Sequence, residues 1–435
     1  MPCERRVSSL VYLPNAAILK TDNVPVRRRK NRTQLMQHFS ELNLCSALRN
    51  NLDKNEFVTP TPVQAQAIPP LMEGRDVVAT AQTGTGKTLA FSIPVIEALA
   101  AVPRTKAIKV LILSPTRELA IQVQAQYDDL RYGKLPKTAL VIGGMAERPQ
   151  LEAVRRGAGV IVATPGRLED YLKRKLVDLS KVEILVLDES DRMVDMGFLP
   201  SLRRIVGALP RERQTLCFSA TLETSVAGLV NDYMRNPVRV ALGSTTKPAE
   251  SVELQAFEVP LADKSDTLRR LLYNEKGQTL VFARTKRGTE RLAKNLIRDG
   301  FSAAMIHGDR TQSQRVSALN GFDEGRYKVL VATDVASRGI HVDNVAHVIN
   351  YDLPEVAEDF IHRVGRTGRA GLKGRASSLV SGAEIGELRA IERTLKLKIA
   401  RRRVDEFESV AVQHKPAKNT LSSRTLAALP GEVFC

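Results

Sequence analysis

Cysteine is scarce and tryptophan is absent in this chain of 435 residues, and the scarcity of cysteine excludes several classes of protein. The four cysteines, Cys3, Cys45, Cys217 and Cys435, lie far apart, so their spacing indicates neither a zinc site nor a disulfide framework. Long apolar runs are missing as well, since none approaches the roughly 18 residues that a membrane span needs. We therefore expect a globular protein of a reducing compartment, without a membrane partner, and predict a cytoplasmic location.

Acidic residues are outnumbered, with 48 Asp and Glu against 65 Lys and Arg, which gives a net charge of +17. An excess of this size is typical of proteins that bind a polyanion, although a well-solvated basic surface is the plainer explanation. Aromatic residues make up only 5% of the chain, so extensive stacking on bases is not expected. The sequence therefore favours a partner that is bound through its phosphates, with weak sequence preference.

The first 35 residues carry eight basic and only two acidic side chains. We predict that residues 1–35 form a basic, disordered arm. Two alternatives stay open for this segment: a transit peptide, and a start of translation at Met36.

Residues 81–88 have the composition of a phosphate-binding loop between a short buried strand (76–80) and a helix (87–98). Glycines at 84 and 86 let the backbone turn so that its N–H groups approach phosphate oxygens. The lysine supplies a positive charge for the outer phosphates, and the last hydroxyl is a ligand for Mg²⁺. The alternative is a glycine-rich turn without a ligand. The predicted loop consists of Ala81, Gln82, Thr83, Gly84, Thr85, Gly86, Lys87 and Thr88.

Two carboxylates follow another apolar run about a hundred residues later. Asp188 and Glu189 come directly after Ile184-Leu185-Val186-Leu187. We predict that Asp188 holds Mg²⁺ and that Glu189 orients and deprotonates an attacking water. Alone, the pair is equally well explained as an exposed acidic loop. With the phosphate-binding loop upstream it indicates binding of a nucleoside triphosphate with magnesium, and its hydrolysis.

Short apolar runs alternate with helical stretches from about residue 36 to 400, which is typical of buried parallel strands joined by helices. The apolar runs lie at 110–113, 160–163, 184–187 and 216–218, and again at 279–282, 303–306, 329–332 and 347–350. The small polar segment 243–250 separates the two sets and predicts a linker. We expect an α/β fold of two doubly wound parallel-sheet domains, at 36–242 and 251–403, with a tail at 404–435.

In addition to the phosphate-binding loop and the acidic pair, nine segments resemble the ordered motifs of one family. They lie at 57–64, 115–120, 143–144, 164–167, 219–221, 281–285, 308–315, 332–339 and 362–369. Over residues 39 to 400 the chain resembles a DEAD-box ATP-dependent RNA helicase of superfamily 2, of the compact bacterial type. The resemblance implies two tandem RecA-like domains, ATP and Mg²⁺ as cofactors, and RNA as the partner.

The resemblance also assigns residues to the nucleotide. Phe57 is expected to stack on the base, Phe39 stands at the upstream aromatic position of the nucleotide site, and Gln64 carries the donors and acceptor that pair with adenine. Gly339 and His341 belong to the nucleotide site from the second domain. Arg366 and Arg369 resemble arginine fingers, which place planar cations on the γ-phosphate as charge develops there. With Lys87, Asp188 and Glu189 these two arginines complete the predicted catalytic set.

Backbone-directed groups are implied for RNA and for coupling between the domains. Hydroxyls, glycine amides and arginines suit a grip on RNA that is independent of sequence. The resemblance implies that RNA is contacted by Thr116, Arg117, Gly144, Thr164, Arg167, Gly308, Arg315 and Thr333. It implies coupling of hydrolysis to RNA through Asp191, Ser219, Thr221 and Asp334.

The chain departs from the family pattern at three positions. Ser190 stands where the namesake motif has Ala, and Glu56 precedes Phe57 where Gly is usual. His341 stands where the family usually has an Asp that binds the ribose hydroxyls. Two rival functions stay open: a DNA helicase or translocase, and an RNA clamp or chaperone with little unwinding. The RNA, the pathway (ribosome assembly and RNA decay among the options) and the oligomeric state are not specified.

Overall fold

The computed structural model describes residues 36–403 apart from 82–83, 103–104, 222–223, 243–250, 335–344 and 369–372. The predicted arm, linker and tail therefore lie outside the described residues, and the predicted domain boundaries stay a prediction. In the described chain, no helix is both long and apolar enough to cross a lipid bilayer.

Seven parallel strands form the first sheet, in the order β3-β4-β2-β5-β6-β1-β7. Alternate side chains of a strand enter the two cores on opposite faces, as Val160 and Val162 do on one face and Ile161 and Ala163 on the other. Burial of both faces explains why these strands are continuous apolar runs. The strands are β1 (Val77–Thr80), β2 (Val110–Leu113), β3 (Thr138–Val141), β4 (Val160–Ala163), β5 (Ile184–Leu187), β6 (Gln214–Ser219) and β7 (Val238–Ala241).

Nine helices among the described residues cover the first sheet. Most follow a strand directly, as expected for right-handed crossovers in a parallel sheet. They are α1 (Ser46–Lys54), α2 (Pro62–Met72), α3 (Lys87–Ala100), α4 (Arg117–Leu130), α5 (Glu147–Arg155), α6 (Pro165–Lys173), α7 (Ser190–Asp195), α8 (Leu199–Gly207) and α9 (Thr224–Tyr233).

The second sheet repeats the plan with the order β10-β11-β9-β12-β13-β8-β14, again with parallel pairs. Its strands are β8 (Val252–Glu258), β9 (Thr279–Phe282), β10 (Ala303–Ile306), β11 (Val329–Ala332), β12 (His347–Asn350), β13 (Gly374–Val380) and β14 (Ala400–Arg402). The described helices of this half are α10 (Lys264–Tyr273), α11 (Lys286–Arg298), α12 (Gln312–Asp323), α13 (Ala357–Val364) and α14 (Ile385–Leu395). Helices α10 and α11 pack on one face of the sheet, and α12, α13 and α14 pack on the other.

The predicted fold class, two doubly wound parallel-sheet halves, is confirmed. The eight apolar runs coincide with strands, seven of them residue for residue. Strand β13 was not predicted because its centre is polar. Ser377 accepts a hydrogen bond from Gln255 Nε2 (2.8 Å) and lies 2.6 Å from His347 Nε2, while Asn350 Nδ2 donates to Ser378 Oγ (3.1 Å). Buried polar groups of neighbouring strands satisfy one another here, which a search for apolar runs does not detect.

The turn before Phe57 keeps its shape although Glu56 replaces the usual glycine. Glu56 has a φ of 58°, in the left-handed region, and closes α1 with bonds from Glu56 N to Asp53 O (3.0 Å) and from Phe57 N to Leu52 O (2.9 Å). This Schellman arrangement favours glycine at the left-handed position because a Cβ is strained there.

We therefore expect Glu56→Gly to raise the free energy of unfolding by about 1 kcal/mol. Urea unfolding followed by circular dichroism measures the change. Glu73→Gly is the matched control, because Glu73 ends α2 with a φ of −79° and gains nothing from glycine. Equal effects at the two positions would mean that the turn at Glu56 carries no strain.

Candidate functional site

The phosphate-binding loop lies where β1 ends and α3 begins, at the edge of the sheet where ligands bind in this class of fold. Gly84 and Gly86 have φ values of 81° and 85°, which other residues rarely adopt. A Cβ on Gly86 would also lie 2.2 Å from Gln64 Nε2. Glycine is therefore required at position 86 by its own backbone and by the helix that packs on it. Gln82 and Thr83 lie outside the described residues.

Gln64 and Thr61 connect α2 to this loop. The Gln64 side chain accepts a bond from Thr61 N (2.8 Å) through Oε1 and donates one to Gly86 O (3.0 Å) through Nε2, while Thr61 Oγ1 donates to Thr85 O (2.7 Å). These bonds leave one lone pair on Gln64 Oε1 and one hydrogen on Nε2. Adenine pairs with one acceptor and one donor of this kind. The predicted adenine contact stays a prediction.

The remaining residues predicted for the nucleotide lie around the same loop. The Lys87 ammonium is buried and donates to Ala81 O (3.0 Å), which holds it beneath the phosphate position. Thr88 is half-buried in the first turn of α3. Phe39 lies in the core, and its N–H donates to Val58 O (3.2 Å), which brings it beside the segment of Phe57.

The acidic pair lies at the end of β5, opposite the loop. Asp188 is buried, and its N–H donates to Leu113 O (2.9 Å), which fixes the end of the strand. Glu189 adopts a φ of 49°, and its carboxylate accepts a bond from Arg192 Nη1 (2.9 Å). A non-glycine residue in the left-handed region costs energy and is often found at functional sites.

Positive charges from both halves surround Glu189, which is only 3% exposed. Burial by itself raises the pKa of Glu189, but the charges of Arg192, Lys87 and Arg366 outweigh it and hold the pKa below its ordinary value. Arg366 belongs to the second half and is itself buried. Charges from both halves therefore act on this carboxylate.

Helix α7 contacts the segment that follows β6 through Asp191. Asp191 Oδ2 accepts bonds from Ala220 N (2.8 Å), Thr221 N (2.9 Å) and Thr221 Oγ1 (3.4 Å). Asp191 was expected to point towards Ser219 and Thr221, and its bonds go to Thr221 and to the backbone that follows Ser219. Ser219 contributes differently: its carbonyl accepts from Ala81 N (2.9 Å) in the phosphate-binding loop.

Ser190, which departs from the namesake motif, fits without disturbing its neighbours. Its side chain is fully buried, and its Oγ lies 3.3 Å from Cys217 Sγ and donates to Phe218 O (3.4 Å). The extra hydroxyl is therefore partnered within β6.

The second half contributes an arginine network beside the cleft. Arg363 forms two bonds to Asp334 (2.5 and 2.6 Å), donates to Asn350 Oδ1 (3.0 Å), and stacks on Phe282. Asp334 was predicted to couple the two domains, and these contacts lie within the second half. The coupling role of Asp334 stays a prediction. Gly339, His341 and Arg369 lie outside the described residues.

Three of the groups predicted to meet RNA lie together on the first half. The Arg117 guanidinium packs against Gly144, where a Cβ would lie 2.1 Å from Arg117 Nη1, and Gly144 has a φ of 74°. Thr116 begins α4, its Oγ1 accepting from Leu119 N (3.3 Å). Glycine at 144 therefore leaves room for the Arg117 guanidinium, which brings these two motifs into contact.

The other two first-half groups lie at the start of α6. Thr164 precedes the helix, and its N–H donates to Val141 O (3.0 Å). Arg167 lies 3.6 Å from Glu147 Oε2 and over the ring of Tyr171. A phosphate that reaches Arg167 has to compete with Glu147.

Arg315 of the second half, which was predicted to meet RNA, contacts the first half. Its guanidinium pairs with Glu118 Oε2 of the first half (2.9 Å), and Gln312 Nε2 donates to Glu118 Oε1 (2.9 Å). All three side chains are buried. The RNA contact predicted for Arg315 stays a prediction. In the structure Arg315 instead pairs with Glu118 across the cleft.

The sequence interpretation did not single out Glu118, Gln312 or Arg192. Glu118 and Gln312 were within the quoted segments, since Glu118 follows Arg117 and Gln312 lies one helical turn before Arg315. These two residues bond to each other although 194 positions separate them, so no local pattern connects them. Arg192 bonds to Glu189 three residues before it, and this helical spacing was an available signal.

The fold and the site define a nucleotide-binding α/β protein with two RecA-like halves. The DEAD/DEAH box helicase model matches residues 61–229, and the Helicase conserved C-terminal domain model matches residues 263–371. The chain belongs to the DEAD-box ATP-dependent RNA helicase family, as the sequence motifs predicted.

Relatives and solved structures agree with this membership. The DEAD-box ATP-dependent RNA helicase CshA of Bacillus subtilis is 40% identical, with 83% of this chain and 73% of the relative covered. The ATP-dependent RNA helicase vasa of Drosophila melanogaster is 41% identical over 82% of this chain, and the match spans only 55% of vasa. Dbp5 of S. cerevisiae bound to RNA and ADP BeF3 is 32% identical, with a TM-score of 0.76 over 86% of this chain and 97% of Dbp5.

Proposed function

We propose that this protein is an ATP-dependent RNA helicase that binds ATP and single-stranded RNA across the cleft between its two halves and locally unwinds short RNA duplexes. The observation that carries the proposal is the setting of Glu189. The pKa of this buried carboxylate is lowered by the charges of Arg192 and Lys87 of the first half and of Arg366 of the second. A base, a phosphate-binding lysine and a cation from the other half are the components that phosphoryl transfer to water requires.

ATP is bound in this proposal with its phosphates over the loop 84–88 and its base beside Phe57 and Gln64. Thr88 and Asp188 supply the oxygen ligands that Mg²⁺ prefers, and Mg²⁺ takes few protein ligands when phosphates and water complete its shell. The ion would neutralise charge on the phosphates. Glu189 accepts the proton of the attacking water, and Arg366, with Arg369, stabilises the charge that develops on the γ-phosphate.

RNA closes the cleft by binding to groups of both halves at once. Thr116, Arg117 and Gly144 of the first half and Gly308 and Thr333 of the second would hold the strand by its phosphates and sugars. Asp191 bonds to the backbone that follows β6 and lies two residues after Glu189. In this proposal it therefore transmits closure of the cleft to the catalytic pair. Loss of phosphate then removes contacts from the cleft and reopens it. We also propose a cytoplasmic location, from the scarcity of cysteine.

RNA-stimulated ATP hydrolysis tests the proposal. Turnover is measured with single-stranded RNA, with DNA of the same sequence and with neither, and Lys87→Ala serves as the variant without a phosphate ligand. We expect stimulation by RNA alone and no turnover for Lys87→Ala. Equal stimulation by DNA would favour a DNA translocase. Displacement of a short RNA strand with and without ATP separates a helicase from a clamp, because a clamp binds without displacing.

RNA affinity should fall as the salt concentration rises, with little dependence on base sequence. Each phosphate contact to single-stranded nucleic acid contributes about 0.7 to the slope of log affinity against log salt. Fluorescence anisotropy with oligouridylate and oligoadenylate at several salt concentrations measures both effects. An affinity that is flat in salt, or strongly different between the two oligomers, would contradict binding through the backbone.

A further inference from the structure

Helix α11 has an outer face that the proposed cleft chemistry does not use. Five of its thirteen residues are basic and only Glu290 is acidic. Arg287, Arg291, Lys294 and Arg298 are spaced by four, three and four residues, so they lie on one face of the helix. All four are exposed, with Lys294 at 66% and Arg298 at 74%. The opposite face, with Leu292, Ala293 and Leu296, packs in the core.

The positive charge of this face is only partly compensated by nearby carboxylates. Lys294 pairs with Glu290 (2.8 Å), and Asp299 lies 3.9 Å from Arg298 but bonds more closely to Arg269 (2.9 Å). Within the part of the chain that the structure describes, Arg287 and Arg291 have no carboxylate at ion-pair distance. Helix α14, on the other face of the same sheet, has two Glu and two Arg in eleven residues. Helix α11 is therefore more strongly basic than this helix on the other face of the sheet.

The basic face begins at the predicted RNA surface. Lys286, the first residue of α11, pairs with Asp309 (2.5 Å), and a Cβ on Gly308 would lie 3.2 Å from Lys286 Cε. Gly308 is one of the second-half groups assigned to RNA. From this point the helix extends about 18 Å, at 1.5 Å per residue. A strand that leaves the cleft past Gly308 therefore meets Arg287, Arg291, Lys294 and Arg298 in turn.

Two exposed apolar side chains lie near the far end of α11: Ile297 on α11 itself and Tyr273 at the end of α10. Tyr273 is 51% exposed and Ile297 is 50% exposed, and the Tyr273 ring contacts Phe301 with centroids 4.8 Å apart. An exposed aromatic ring is what a nucleobase stacks on when RNA is held by its phosphates. An acidic protein segment would suit the charge, but it would not explain the continuity with Gly308.

We propose that the outer face of α11, ending at Tyr273, is a second RNA-binding surface that takes the part of the strand extending beyond the cleft. The proposal rests on the proposed function, because it needs RNA in the cleft. It predicts that the protein binds long RNA more tightly than RNA just long enough to fill the cleft. The additional affinity should be electrostatic and independent of sequence.

Anisotropy with labelled oligouridylates of about 10 and about 30 nucleotides, in the presence of a non-hydrolysable ATP analogue, tests this; single-strand sites typically span about 4–16 nucleotides. The variant is Arg287→Glu with Arg291→Glu. The matched control is Arg389→Glu with Arg393→Glu on α14, which reverses two exposed arginines of the same half on the opposite face. We expect the α11 variant to bind the long RNA roughly tenfold more weakly, with a salt slope lower by about 1.4, and to keep its affinity for the short RNA.

The α14 control should bind both RNAs as the wild type does. A hairpin whose single-stranded end fills the cleft tells whether the surface takes a duplex or a single strand. A loss of affinity by the α11 variant, but not by the α14 control, for either the long strand or the hairpin supports the proposal. If the α11 variant binds the long strand and the hairpin like the wild type, or if the α14 variant loses as much, the proposal is wrong. Failure of the wild type to bind even the short RNA would instead contradict the proposed function. RNA-independent ATP hydrolysis and thermal unfolding check that each variant is folded.

Discussion

Glu189→Gln should bind ATP and RNA together and hydrolyse ATP at least about a hundredfold more slowly than the wild type, since general-base catalysis typically contributes 10²–10⁴-fold. The amide keeps the shape of the side chain and a carbonyl oxygen that can accept from Arg192 Nη1, now 2.9 Å away. It cannot take a proton from water. The closed complex with RNA should therefore persist, and dissociation of labelled RNA in the presence of ATP should slow.

Single-turnover hydrolysis and RNA dissociation measure these two effects. Glu169→Gln is the matched control, because Glu169 is also buried and ion-paired, to Arg204 (2.7 Å) and Lys173 (2.6 Å), in the same half. It should hydrolyse ATP as the wild type does. Wild-type hydrolysis by Glu189→Gln would show that another residue is the base.

The protonation of Glu189 should not limit turnover near neutral pH. The cations around it hold its pKa below the ordinary value despite its burial. A carboxyl with a lowered pKa stays ionised as the pH falls from 8 to 6, so no decrease in the single-turnover rate over this range should come from this group. The measurement is the single-turnover rate of the wild type and of Glu189→Gln at several pH values. A rate that falls between pH 8 and 6 in the wild type but not in Glu189→Gln would contradict a lowered pKa of Glu189.

Features that depend on neighbours in sequence were predictable. The phosphate-binding loop requires glycine at 84 and 86 because of local φ values, and the apolar strands follow from burial on both faces of a parallel sheet. A resemblance to a family supplied the rest of the predicted site. Its assignment of Asp191 to the end of β6 agrees with the bonds to Thr221.

Features that depend on distant side chains were not predictable in the same way. Strand β13 has polar residues at its centre, and Gln255, His347 and Asn350 on the two neighbouring strands make their burial favourable. Glu118 is another case. Glu118 lies in the first turn of α4, where the helix dipole favours a carboxylate, but this position does not indicate its partners. Its partners come from the other half, and no periodicity connects residues 194 positions apart.

Glu118→Gln should weaken closure of the cleft while leaving RNA-independent ATP hydrolysis unchanged. In the wild type the carboxylate pairs with Arg315 and accepts from Gln312, and all three side chains are buried. Removing one partner of a buried charge pair typically costs about 2–5 kcal/mol, because the other charge loses its compensation. RNA affinity with a non-hydrolysable ATP analogue should therefore fall at least about 30-fold, since 1.4 kcal/mol corresponds to a factor of ten.

The double variant Glu118→Gln with Arg315→Met separates the two roles of Arg315. If its main partner is Glu118, removal of the unpaired charge should recover part of the lost affinity, because replacing a buried ion pair with neutral groups costs less than breaking it. If Arg315 instead binds a phosphate of RNA, the double variant should bind RNA more weakly than Glu118→Gln. Glu183→Gln, at an exposed pair with Lys109 in the same half, is the control and should have no effect. Wild-type RNA affinity in Glu118→Gln would mean that this contact does not contribute to closure.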